Sequence, residues 1–207
     1  MAVAVDAEGG AVLEGEDAYA GYEAAALRGS LERLDAQARR QAMEQMLARS
    51  FRGAALLDLA VDGDAALEGP VTLRWRARVE RWARLEEGRA VVEQPIFPAR
   101  LGVRFLQRAS RETPLLVGAA DRTALEVTVA LPPGWAPQPR PPAALETPYG
   151  SYRREERAEG GRLLRRDDLE VARGRVPPAA YPAFGDFAHA VDAAQEEPLV
   201  FRRVTPG

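Results

Sequence analysis

Cysteine, lysine and asparagine are all missing from these 207 residues, and histidine occurs once, at His189. The lack of thiols excludes disulfides, thiolate zinc sites and cysteine nucleophiles together. It leaves the redox compartment open, because a chain without thiols tolerates either environment. Without lysine there is no Schiff base and no P-loop lysine, and without asparagine there is no acceptor for N-linked glycans. One imidazole rules out a multi-histidine metal site, and a Ser-His-Asp triad would have to use His189. Serine is scarce too: Ser30, Ser50, Ser110 and Ser151 are the only ones, and none lies in a G-x-S-x-G elbow. No apolar run approaches the roughly 20 residues that span a bilayer, so no transmembrane segment is expected. Met1 is followed by no basic and then apolar leader. An exported form would carry its signal upstream of this segment, and a cytoplasmic location is the alternative.

Positive charge is in slight deficit: 28 basic residues, all arginine, face 31 acidic ones, for a formal net charge of -3. Nucleic-acid-binding domains carry the opposite excess, so no nucleic-acid partner is expected. Abundant alanine beside all-arginine basicity fits a GC-rich bacterial genome. The length suits one sizeable domain or two small ones, either able to bury a core without staples.

Val3, Val5, Val12 and Leu13 around Glu8-Gly9-Gly10 predict a hairpin. Leu27, Leu31, Leu34, Ala38, Ala42 and Met46 recur at helical steps, with Ser30 as N-cap and Gly53 at the exit, which predicts a helix over about 30–49. In 71–80, Val71, Leu73, Trp75, Ala77 and Val79 alternate with Thr72, Arg74, Arg76, Arg78 and Glu80, the pattern of an antiparallel strand buried on one face. A second alternating strand runs through Leu125, Val127, Val129 and Leu131. Seven of the 16 prolines fall between Pro132 and Pro148, which predicts an extended crossing or a sheet edge. Strands resume around the Glu159-Gly160-Gly161 turn, a helix over about 179–195 carries Tyr181, Phe184, Phe187 and Val191, and a last strand covers Leu199 to Val204. The expected fold is mainly β: an antiparallel β-sandwich with two accessory helices. Residues 1–69 form a hairpin, helix and strand lobe and 70–207 the sandwich, the two being readable as one continuous domain.

Several constellations invite chemistry. Asp186, His189 and Asp192 share a helical face, although the solvated side of an amphipathic helix looks the same. Asp62, Asp64 and Glu68 resemble the opening of a calcium loop but lack its third acidic ligand and central glycine, so an acidic turn is expected and no metal. The arginines at 74, 76 and 78, extended by Arg81 and Arg84 around Trp82, suit either an anionic-polymer track or the wet face of a strand. Trp75 belongs to the core, whereas Trp82 and Trp135 sit near strand ends, where an indole is either a packing lid or a contact. Trp82, Trp135, Arg76 and Arg78 are therefore the candidate binding residues; no catalytic residue and no cofactor is expected.

Five segments carry a resemblance: Asp6-Ala-Glu-Gly-Gly-Ala11, Gly21-Tyr-Glu-Ala-Ala-Ala-Leu-Arg28, Leu131-Pro-Pro-Gly134, Tyr149-Gly-Ser-Tyr152 and Val176-Pro-Pro-Ala-Ala-Tyr-Pro-Ala-Phe184. Read in order, they resemble the C-terminal domain of unknown function that follows the papain-like catalytic core in large bacterial transglutaminase-like proteins. The resemblance implies a β-sandwich beside a cysteine-histidine-aspartate core, often in periplasmic or cell-envelope proteins. That core is absent here, and no catalytic residue carries over. The expectation is a non-catalytic accessory module with a protein partner, the catalytic domain or another protein; the alternative is a small-molecule or carbohydrate-binding β-domain.

Overall fold

The computed structural model describes residues 1–118 and 120–204. The chain opens with the expected hairpin, β1 (Ala2–Val5) and β2 (Ala11–Tyr19). Its turn is fixed by Asp6, whose Oδ1 accepts the backbone N–H groups of Glu8 (3.1 Å) and Gly10 (2.7 Å).

Two helices follow where one was expected: α1 (Gly21–Leu31) and α2 (Ala36–Ser50). The apolar stripe continues across the break, but capping divides it. Asp35 Oδ1 accepts from the Ala38 N–H at 2.8 Å and starts α2, while the Arg39 guanidinium binds the carbonyls of Leu31 and Leu34 that end α1. Ser30, the expected N-cap, instead donates its hydroxyl back to Ala26 O within α1.

The remaining elements are β3 (Ala54–Asp62), β4 (Val71–Val79), β5 (Arg84–Glu86), β6 (Arg89–Val92), α3 (Leu101–Phe105), β7 (Leu115–Val117) and β8 (Asp121–Ala130). They continue with β9 (Trp135–Pro137), β10 (Ala143–Thr147), β11 (Gly150–Glu159), β12 (Arg162–Val171), β13 (Gly174–Val176), α4 (Tyr181–Glu196) and β14 (Leu199–Arg203).

The fold is mainly β, as expected, and two sheets face each other. The larger has eight strands in the order β10-β11-β12-β8-β1-β2-β4-β3, and the smaller runs β5-β6-β14-β9. Ala90, Val92, Leu199 and Phe201 of the small sheet join Val3, Leu13, Trp75 and Val129 of the large one in a single core. The large sheet is mixed, not purely antiparallel, because β1 pairs in parallel with β8 while antiparallel to β2. Strands from both sides of residue 69 share this sheet. A second core lies under α4, where Phe184, Phe187 and Val191 cover Tyr152, Leu169 and Val171. Full burial of each such side chain contributes on the order of 2 kcal/mol.

The proline-rich stretch lies at sheet edges. β9, which ends in Pro137, borders the small sheet and β10 the large one, so missing N–H donors break no ladder. The opposite edge, β3, is covered by α2. Arg40 donates to the carbonyls of Leu56 and Leu57, and Glu44 accepts from the Leu56 N–H, which blunts an otherwise open edge.

Candidate functional site

The alternation in β4 turns Arg74, Arg76 and Arg78 to water and sets them opposite acids. Arg74 meets Glu16 at 2.8 Å and also Asp62, Arg76 meets Glu14 at 3.6 Å, and Arg78 meets Asp6 at 3.5 Å. Solvent screens these exposed pairs, so they add little to stability, but they neutralise the stripe. Trp82 is 2% exposed and belongs to the main core, so its ring offers no stacking face to a ligand. The cause is local: its backbone N–H and that of Ala83 both donate to Gly9 O at 2.9 Å, which draws the segment after β4 against the first hairpin. Trp135 is half-buried, and the Arg203 guanidinium lies 5.9 Å from its ring centroid. Arg76 and Arg78 on the outer face, Trp135 at the edge of the small sheet and Trp82 in the core do not form one site.

His189 is exposed on α4. Asp192, its partner in the expected cluster, is engaged elsewhere: its two carboxylate oxygens accept the backbone N–H groups of Leu101 and Gly102, each at 2.8 Å, and cap α3 across the interface. In the acidic turn, Asp64 pairs with Arg39 at 2.7 Å and Asp62 with Arg74.

The structure gathers a different set of residues at the C-terminal end of α2. A groove of about 890 Å³ is lined by Arg49, Arg52, Arg81 and Arg100, with Glu80 and Glu93 on its walls. All four arginines are exposed, and none forms an ion pair among the described residues. Glu93 is already held by Arg84 at 2.7 Å. Hydrogen bonds join the walls: Gln94 Oε1 accepts the Arg52 N–H at 2.8 Å, Gln94 Nε2 donates to Arg81 O at 3.4 Å, and Arg100 Nη2 donates to Arg49 O at 3.0 Å. The loop supplying Arg100 is strained. Phe97 and Arg100 are the two non-glycine residues with positive φ among those described, at 44° and 51°. Such conformations cost on the order of 1–3 kcal/mol and persist only where the surroundings impose them. Here the imposing contact is aromatic, since the Phe97 ring packs edge-on against Phe51 (5.0 Å) and Trp75 (5.9 Å). Of the four arginines, the sequence pattern singled out Arg81 alone. The others come from separate segments and carry no periodic signal.

A second polar cluster is buried between β11, β12 and the end of α4. Arg165 binds Asp167 through Nε (2.5 Å) and Nη2 (2.9 Å), and the Tyr152 hydroxyl donates to Asp167 at 2.5 Å. Burial, and then the bond to Asp167, raise the Tyr152 phenol well above its ordinary value, so it acts as a fixed donor. Burial alone would raise the Glu156 carboxyl, but hydrogen bonds from the Arg140 side chain and backbone outweigh it and hold the group below its ordinary range. Arg154 spans to Ala194 O and to Glu197, both at 2.8 Å, and so ties β11 to the C-terminal turn of α4. Three arginines and three carboxylates balance one another, and the cluster works as a clamp.

No curated protein matches the chain. A crystal structure of a candidate protease from Parabacteroides distasonis is similar over 56% of this chain, with 18% identity and a TM-score of 0.48. The likeness spans 24% of that protein's length. The family model DUF3858, described as a domain of unknown function with solved structure, matches residues 89–201, from the start of β6 into β14. That span is more than half of the chain, which therefore belongs to the DUF3858 family.

Proposed function

We propose that this chain is a non-catalytic accessory module of a transglutaminase-like protein, working by contact and not by bond-breaking. The observation that carries the reading is the state of its one imidazole. His189 faces solvent and makes no hydrogen bond among the described residues; of the two carboxylates one turn away, Asp192 is committed to capping α3 and Asp186 is exposed. With no thiol and no lysine in the sequence, His189 is the one side chain whose ordinary pKa lies near neutrality. The link to transglutaminase-like proteins rests on the segment resemblance described above. A second reading, a small-molecule-binding domain, is favoured by the groove at the end of α2 and not by the tryptophans.

The test is to translate the reading frame upstream of Met1, produce any papain-like core it encodes as a separate protein, and titrate it with this chain. Saturable one-to-one binding is the expected result. A core that shows no interaction, or a frame that encodes none, contradicts the accessory role.

A further inference from the structure

The geometry points to the groove at the end of α2 as a binding site for a small solute carrying two or more oxyanion groups, phosphate or carboxylate, held by Arg49, Arg52, Arg81 and Arg100. This rests on the second reading, in which the groove receives a small molecule, and it names what enters. The arginines of β4 face acids and those of the buried clamp are balanced by carboxylates, whereas the four gathered at the groove form no ion pair among the described residues. Around the groove four arginines meet two glutamates, an excess of two positive charges on a protein whose net charge is -3. Glu93 is moreover spoken for by Arg84, which leaves Glu80 as the one acidic wall group not so engaged.

Guanidinium groups present planar donor forks that match phosphate and carboxylate oxygens two at a time, and four of them around one concavity favour a multiply charged ligand. Arg100 spends one donor on Arg49 O and keeps the rest of its fork. That bond also covers a carbonyl of the last turn of α2, where the helix dipole would otherwise oppose an anion. The volume of about 890 Å³ falls within the range of small-molecule sites. The strained Phe97–Arg100 loop and the Gln94 crosslinks fix the walls before any ligand arrives, which lowers the ordering cost of binding.

Isothermal titration calorimetry with pyrophosphate and, separately, with citrate tests this on the full chain. One-site binding is expected, with a Kd between about 10 μM and 1 mM at about 50 mM salt, weakening as salt is raised. Arg52→Ala and Arg81→Ala should each weaken it by about tenfold while leaving thermal melting unchanged, because neither side chain makes a hydrogen bond or ion pair among the described residues; Arg76→Ala should have no effect. Tighter binding of pyrophosphate assigns a phosphate ligand, and tighter binding of citrate a carboxylate one. No saturable heat with either probe, or equal weakening by Arg76→Ala, overturns the site. If the upstream core still binds the chain in that case, the site alone is lost and the accessory role stands.

Discussion

Replacing Asp167 with alanine is expected to cost about 3–5 kcal/mol of folding free energy, the typical penalty for removing one member of a buried ion pair. Asp167 and its partner Arg165 are 3% and 2% exposed at their side chains, and the carboxylate also receives the Tyr152 hydroxyl. Alanine leaves a desolvated guanidinium and a phenol donor without their acceptor. Ordinary domain stabilities are about 5–15 kcal/mol, so a loss of this size is a large part of the whole. The next residue supplies the control. Asp168 pairs with Arg166 on the outer face, where the two side chains are 43% and 52% exposed, and Asp168→Ala should stay within about 1 kcal/mol of wild type. Urea denaturation of both variants reads the difference. Equal midpoints would show that the clamp adds nothing. Replacing Arg165 and Asp167 together with apolar residues of similar size should recover most of the loss, because the charge and its missing partner leave at once.

Gly15→Ala is expected to lose about 3 kcal/mol despite adding a single methyl group. Gly15 lies opposite Trp75 in the β2–β4 register, and a Cβ at this position would sit 2.2 Å from Cε2 and Cζ2 of the indole. The ring cannot yield cheaply. It is 3% exposed, packs edge-on against Phe97 and donates its N–H to Asp17 at 2.9 Å. Burial holds the Asp17 carboxyl above its ordinary range and the indole bond opposes that shift, so displacing the ring also strips a half-buried acid of its donor. Gly29 of α1 gives the contrast: a Cβ there meets open space, and Gly29→Ala should stabilise the helix by about 0.5–1 kcal/mol. Denaturation midpoints with tryptophan fluorescence separate the two outcomes. Introducing Trp75→Leu into the Gly15→Ala chain should cost less than the sum of the single changes, since the clash is removed.

These sites show what the sequence reveals and what it hides. β4 reads cleanly because every inward residue is apolar and every outward one polar. β12 does not, because its inner face includes Arg165 and Asp167, and the doubled letters in Leu-Leu-Arg-Arg-Asp-Asp blur a period of two. The single helix expected over 30–49 became two because an apolar stripe carries no record of a break, although Asp35 with Ala38 three residues on was a legible cap. Trp82 resembles a strand-end contact in the sequence, and only its tether to Gly9 shows why it turns inward. The groove is least legible of all. Its arginines lie at 49, 52, 81 and 100, and the sheet and the strained loop bring them together without leaving any local pattern.

The non-catalytic role proposed above requires that the chain hold no activated nucleophile. Its most direct test is turnover by the purified chain, measured on ester, peptide and glycoside substrates beside the His189→Ala variant. Both proteins should match the buffer rate, because no hydrogen bond among the described residues orients the exposed imidazole and Asp192 is held at α3. Turnover that persists through purification and disappears with His189 would contradict the account at its root.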